Sequence, residues 1–272
     1  MEISIDGVIL DEENAKISVL DHGLLLGDGL FETMRTYRGK TFKLHEHYTR
    51  LAESAGKIFL QLPFTEKEIG KMIESLIAAN KLSEARVRVT VTRGIGAPGL
   101  SIDCSNPKTI IIATKLEEHD YSNGVRLITT NAERAMPGIK SLSYLPSVIA
   151  KKNAQDLGAF EAVYVDSQVR EGSFSNVFMV KEGIIKTPKE KILRGITRDY
   201  VIELAEKNKV KVIECDITVE ELYGADEVFI TYSTAGIVPV IMVDKKIFKV
   251  GDTTKKLIEL YAGGVSEWMQ KA

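Results

Sequence analysis

The run Arg86-Val87-Arg88-Val89-Thr90-Val91-Thr92 alternates polar and branched apolar side chains without a break. Successive residues of a strand point to opposite faces, so Val87, Val89 and Val91 demand a core on one side while Arg86 and Arg88 share the other. A chain built around such a strand must form a sheet packed on one face. Thr109-Ile110-Ile111-Ile112-Ala113 supplies a second β-rich run. Ile3, Ile5, Val8 and Leu10 flank Asp6-Gly7 as a hairpin, and Ile17, Val19 and Leu20 continue the β character. Phe31, Thr33, Arg35 and Tyr37 alternate against Glu32, Met34 and Thr36, with a turn at Arg38-Gly39-Lys40.

Helical spacing interrupts these strands. Tyr48, Leu51, Ala52, Ala55, Ile58 and Phe59 mark a helix between His45 and Leu60, and Thr65 opens another with Glu68 at capping-box spacing. Residues 1–116 therefore read as a small α+β domain. The polar stretch 117–124, ending in Asn123-Gly124, reads as an interdomain linker. In the larger domain, 125–272, strands are expected at 125–130, 162–166, through 177–180, and at 210–214, 227–231, 238–243 and 246–249. Helices are expected at 145–158, 197–207 and 218–224 and after Gly251-Asp252. The fold class is α/β, an α+β N-terminal domain followed by a mixed, β-rich C-terminal one.

A net charge of −2 over 272 residues, with no basic stripe, argues against nucleic acid and for a small-molecule partner. No apolar run approaches membrane-spanning length and Met1 to Gly7 has no leader character, so a cytoplasmic protein is expected. Cys104 and Cys215 stand far apart without a CxxC or a histidine partner, which suggests neither a disulfide nor zinc. Gly94-Ile95-Gly96-Ala97-Pro98-Gly99 matches GxGxxG, but Pro98 and the stretch Leu100 to Pro107 open no helix, as dinucleotide binding requires. His45-Glu46-His47 puts its histidines two apart on a helix, where they diverge, so no metal site is expected.

Three stretches together suit a cofactor with an aldehyde, a ring nitrogen and a phosphate, and the hypothesis they support is a Schiff base between Lys140 and pyridoxal phosphate. Lys140 falls in the turn entering the helix that begins near Leu145 and Pro146. A lysine amine becomes nucleophilic at neutral pH where desolvation or nearby positive charge lowers its pKa. Lys151 and Lys152 compete for the role but lie on the polar side of that helix as surface charges. Glu171 could hold a proton on the ring nitrogen and keep the ring an electron sink; read alone, it is a solvated hairpin residue. Gly195-Ile196-Thr197 precedes an amphipathic helix whose free N–H groups suit a phosphate, or else Thr197 merely caps it. Thr231-Tyr232-Ser233-Thr234-Ala235-Gly236 could add hydroxyl and amide donors to the same anion, or be an ordinary loop.

The set GDG-LFET-R, EHYTRL, K-S-L-x-Y-L, EGSFSNVF, LRGITRD, ADEVF and STAGIVPV, spread over nearly the whole chain, resembles the fold-type IV (class IV) pyridoxal-phosphate aminotransferases. That group includes branched-chain and D-amino-acid aminotransferases and aminodeoxychorismate lyases. The resemblance implies two domains with the cofactor between them, in a homodimer. It implies Lys140 as the catalytic Schiff-base lysine and Glu171 as partner of the pyridine nitrogen. Arg50, Ile196, Thr197 and Ser233 become phosphate contacts, Thr234 a further cofactor contact, and Phe31, Arg88, Thr234 and Ala235 substrate contacts. Without it Arg50 reads as a surface helix residue.

Within the family the chain matches each branch in part. D-amino-acid enzymes related to the bacillary one carry Arg-x-His where this chain has Gly96-Ala97-Pro98-Gly99-Leu100. Branched-chain enzymes carry an arginine similar to Arg88 that accepts the side-chain carboxylate of glutamate or 2-oxoglutarate. Many of them also place a cofactor-contacting tyrosine one residue beyond Tyr144, and some lyases have asparagine at Ser143. The expected activity is amino transfer between a branched-chain L- or D-amino acid and a 2-oxo acid such as 2-oxoglutarate. The alternatives are pyruvate elimination by an aminodeoxychorismate lyase and a pyridoxal-phosphate carrier without turnover.

Overall fold

In the computed structural model, residues 1–134 and 136–271 are described. Glu2–Ile5 (β1) and Val8–Asp11 (β2) form the expected hairpin, with Asp6 and Gly7 both at positive φ (50° and 85°), as a two-residue turn between twisted strands requires. The β character of Ile17, Val19 and Leu20 comes to nothing. That segment finds no ladder partner, and all three side chains stay exposed before a short helix, α1 (His22–Leu26), capped by Asp21.

Gly29–Tyr37 (β3) and Lys40–Thr41 (β4) follow, then helices Leu44–Lys57 (α2) and Glu66–Ala79 (α3), then Ala85–Thr92 (β5) and Thr109–Lys115 (β6). The capping box at Thr65 and Glu68 starts α3 as its spacing demands. The strands make an antiparallel sheet ordered β2-β1-β6-β5-β3-β4. Val87 and Val89 pack with Met34, Ile111 and the α3 residues Ile69, Ile73, Leu76 and Ile77. Each such buried side chain contributes about 1.5–3 kcal/mol. Arg86 and Arg88 lie on the opposite face of β5, outside that core.

The second sheet begins with Val125–Thr130 (β7). After Leu145–Asp156 (α4) come Glu161–Val165 (β8), Val169–Gly172 (β9), Asn176–Lys181 (β10) and Ile184–Thr187 (β11). Then follow Ile196–Lys207 (α5), Val212–Glu214 (β12), Val219–Tyr223 (α6), Glu227–Tyr232 (β13), Gly236–Val243 (β14), Lys246–Ile247 (β15) and Asp252–Lys271 (α7). The strand order is β12-β11-β10-β13-β14-β7-β8-β9, with β15 pairing β14. Three joins, β11 to β12, β14 to β7 and β7 to β8, are parallel and the rest antiparallel. The strand expected through 177–180 is preceded by a separate one, β9, and a turn at 173–175 parts the two.

Helix α4 is turned inside out relative to its apolar pattern. Ser147, Ala150 and Ala154 are buried, the alanines packing with Ala162 and Tyr164 of β8, whereas Leu145, Val148, Ile149 and Leu157 are exposed. A helix lying this close to a sheet has room only for small side chains on its inner face.

The chain divides into two compact units, Met1–Glu117 with Ile139–Ser143, and Glu118–Gly138 with Tyr144–Ala272. The segment carrying Lys140 thus belongs to the first unit, not to the larger second domain in which its sequence position puts it.

Candidate active site

Lys140 does not sit in a helix-entry turn. Its carbonyl accepts from Phe31 N at 2.9 Å, Leu142 N donates to Gly29 O at 2.9 Å, and Ser141 forms an isolated antiparallel bridge with Leu30. The lysine is therefore held in extended backbone along β3, several residues ahead of α4. Gly29 permits this approach: a Cβ there would fall 2.4 Å from Val91 O and 2.7 Å from the Leu142 side chain. The Lys140 Nζ lies 4.7 Å from the centroid of the Phe31 ring, and the guanidinium of Arg88 lies 3.8 Å from the same centroid. Arg88, half-buried, also bonds through Nε to Thr90 Oγ1 at 3.3 Å.

On the same strand, Glu32 anchors a buried cluster. Arg50 of α2 grips it through Nε at 2.9 Å and Nη2 at 2.6 Å, and His47 Nδ1 lies 2.7 Å from its Oε2. Burial alone would raise the Glu32 carboxyl, but the charge of Arg50 and the hydrogen bond and charge of His47 hold it down at about 2. Burial pushes His47 below its usual range, and the charges of Arg50 and Lys140 push the same way. Glu32 opposes this by its hydrogen bond and charge, and its ionised carboxylate is held between Arg50 and His47. Arg50 is thus no solvated helix residue; two of its nitrogens are committed to Glu32, which fixes the plane of its guanidinium. His45 is exposed and bonds to Glu66 instead, and among the described residues no group of three His, Cys, Asp or Glu could hold a metal.

In the second unit Glu171 is buried, not a solvated hairpin residue. Its Oε1 accepts from Arg134 Nη1 at 2.8 Å and its Oε2 from Leu193 N at 3.0 Å. Burial alone would lower the Arg134 pKa, but the negative charge of Glu171 and its hydrogen bond raise it. Nearby, α5 starts at Gly195, whose extended backbone forms the N-cap with no side-chain cap; Thr197 is buried inside the first turn and does not cap it. A Cβ on Gly195 would meet Asn176 Oδ1 at 2.1 Å. Asn176 pairs in register with Thr231, whose hydroxyl is buried without a hydrogen-bond partner among the described residues. The turn 232–236 follows, with Gly236 at φ +78° and Ala235 N bonded to Tyr232 O at 3.2 Å. An uncapped first turn of a twelve-residue helix, an orphaned hydroxyl and a hydroxyl-rich turn are donors of the kind an anion can use, and a buried carboxylate is able to face a protonated ring nitrogen.

The sequence model of the family described as amino-transferase class IV matches residues 29–243. The chain belongs to that family. A protein of Methanocaldococcus jannaschii provisionally named a branched-chain-amino-acid aminotransferase is 41% identical, over 98% of each chain. A D-alanine aminotransferase of Listeria monocytogenes is 35% identical, over 90% of this chain and 88% of its own. The branched-chain amino acid aminotransferase of T.th., solved with N-(5'-phosphopyridoxyl)-L-glutamate, superposes with a TM-score of 0.91 at 32% identity, covering 98% of this chain and 94% of that one. Class IV aminotransferases are pyridoxal-phosphate enzymes of fold type IV, and this chain is one of them.

For a class IV aminotransferase, several residues around the site carry little or no local sequence signal. Glu32 was legible only as the polar member of an alternating strand, and His47 only as half of a divergent histidine pair. Arg134 carried no local signal, because its partner lies 37 positions away. Lys151 is also not the plain surface charge its helix position suggests: its Nζ bonds to Phe160 O and lies 4.3 Å from the Phe160 centroid and 5.2 Å from that of Phe174. Lys152 does behave as a surface charge, paired with Asp156.

Proposed function

We propose that the chain is a cytoplasmic homodimer that moves an amino group between a branched-chain amino acid and a 2-oxo acid such as 2-oxoglutarate, with Lys140 as the catalytic amine. The observation that carries this reading is one aromatic ring shared by two cations, Lys140 and Arg88 beside Phe31. An arginine at the same ring as the reacting amine offers the second carboxylate of glutamate or 2-oxoglutarate a bidentate partner. The Phe31 ring offers a branched side chain an apolar surface. The phosphopyridoxyl-glutamate bound by the T.th. relative supports the dicarboxylate partner. The loop Gly96 to Leu100 has no Arg-x-His, which speaks against the carboxylate grip of the bacillary D-amino-acid enzymes. The exposed Leu145, Val148, Ile149 and Leu157 support a partner subunit.

Bound pyridoxal phosphate supplies an aldehyde for covalent capture and a ring that takes up the electron pair left by the departing α-proton. Lys140 Nζ takes that proton and returns it at the neighbouring carbon. Glu171, fixed by Arg134 and Leu193 N, holds the proton on the ring nitrogen. The N–H groups of Ile196 and Thr197, with Ser233, would hold the phosphate, and Arg50, steadied by Glu32, is the further phosphate contact that the family resemblance implies. Arg88 would take the far carboxylate of the substrate, and Thr234 and Ala235 are further substrate contacts that the family resemblance implies.

The test is a panel of L- and D-isomers of leucine, isoleucine, valine and alanine against 2-oxoglutarate and pyruvate. Glutamate formation from branched-chain donors is the expected result. Absence of transfer throughout, with pyruvate released from aminodeoxychorismate, moves the chain to the lyase reading.

A further inference from the structure

Glu161, the first residue of β8, is fully buried and gives both its oxygens to one turn. Oε1 accepts from Phe174 N at 2.6 Å, Ser175 N at 3.1 Å and Ser173 Oγ at 3.2 Å, and Oε2 accepts from Ser175 Oγ at 2.7 Å. Carboxylates this deep usually bond a cation directly; here backbone and hydroxyl donors make the hydrogen bonds, and Lys151 acts on Glu161 through its charge alone. The turn so gathered is flanked by the site. Glu171 lies two residues ahead of it, and Tyr144 donates through its hydroxyl to Ser173 O at 3.0 Å. Gly172, between Glu171 and the turn, has no room for a side chain, since a Cβ there would stand 2.3 Å from Ser175 Oγ and 2.5 Å from Glu161 Oε1. The Phe174 ring meets Tyr232 edge-on at 5.3 Å, just before Ser233 and Thr234, and the Lys151 Nζ lies 5.2 Å from the same ring.

We propose that Glu161 is a positioning residue for amino transfer: by holding the turn Ser173 to Ser175 in one shape, its carboxylate sets Glu171 and the Tyr144 hydroxyl in place. The inference rests on the reading of Glu171 as the partner of the ring nitrogen. The chemistry of the clamp explains two features of the EGSFS stretch at once. The glycine is required by the closeness of Glu161, and the serines are required as its donors. Glu161 touches no reacting atom; its effect passes through hydrogen bonds to the turn.

Glu161→Ala, Glu161→Gln, Ser175→Ala and Glu171→Gln are compared in the purified holoenzyme by kcat, KM for the amino donor, cofactor retention on equilibrium dialysis, and thermal midpoint. Glu161→Ala strands the donors of the turn, so kcat falls about tenfold or more and cofactor affinity falls with it, while KM for the donor moves little. Glu161→Gln keeps a carbonyl oxygen for the Phe174 and Ser175 amides and restores kcat to within about threefold of wild type. A lower thermal midpoint for Glu161→Ala with kcat and cofactor retention unchanged would overturn the proposal, leaving Glu161 a structural residue only. If Glu161→Ala does not fold, Ser175→Ala decides: a kcat reduced about threefold or more supports the clamp, and a wild-type kcat overturns it. Glu171→Gln separates the two levels. If it is silent, the site reading fails and this inference with it; if it slows turnover while Glu161→Ala and Ser175→Ala do not, this inference fails alone.

Discussion

Arg134 and Glu171 form a buried ion pair, 2.8 Å between Nη1 and Oε1, with side chains only 6% and 3% exposed. The geometry leaves the carboxylate fixed at both oxygens, because Leu193 N takes the other. Breaking such a pair from one side strands a charge in low dielectric, whereas replacing the carboxylate with its amide keeps the shape.

Arg134→Leu therefore lowers stability by about 3–5 kcal/mol, read from urea unfolding of the purified protein. Glu171→Gln leaves the fold and cofactor binding in place but slows turnover by about 30- to 1000-fold, the effect of losing roughly 2–4 kcal/mol of electrostatic stabilisation. Wild-type rates in Glu171→Gln would reduce the carboxylate to a structural role.

Lys140→Ala removes the visible absorbance of covalently attached cofactor and drops turnover by several orders of magnitude, since covalent attachment and proton transfer use one amine. Lys152→Ala, at an exposed lysine paired with Asp156, leaves both unchanged. Spectra and single-turnover rates measured side by side check this, and a Lys140→Ala enzyme with most of its activity would end the assignment.

Arg88→Leu separates the two carboxylates of the substrate. KM for 2-oxoglutarate and glutamate rises about tenfold or more, equivalent to roughly 1.4 kcal/mol, while pyruvate suffers much less. Equal losses for both keto acids would instead mean that Arg88 holds the α-carboxylate or the fold.

Two buried carboxylates give the stability a pH dependence of opposite sign on either side of the unfolded carboxyl pKa. Glu32 is held at about 2, so its contribution is present above about 4.5 and is lost as pH falls towards 2. Burial raises Glu161 to about 7, against the hydrogen bonds from Ser175, Phe174 and Ser173. Its contribution is full below about 4.5 and is lost as pH rises through 7. Each window is worth roughly 3 kcal/mol. Urea unfolding across pH 4 to 8 checks the upper window: the decline in wild type flattens in Glu161→Gln, and an unchanged slope would show that Glu161 titrates normally.

Local elements and the available chemistry were legible in the chain itself. Alternation in 86–92 set which face of β5 meets the core, Thr65 and Glu68 set where α3 starts, and the spacing of motifs was enough to name the family. These are short-range properties, governed by side-chain direction and by donors within a few residues. Long-range packing settled what remained. Ile17, Val19 and Leu20 had β propensity but no partner strand. The apolar residues of α4 were displaced outward because Ala150 and Ala154 allow the helix to lie close on β8. Lys140 was drawn into pairing with β3 by a glycine more than 100 residues earlier. The partners of Glu32, Glu171 and Glu161 are likewise distant in sequence or in another element. Burial without a partner is costly for a carboxylate, so it is the packing of the folded chain, not any local pattern, that selects which glutamates can be buried and what must surround them.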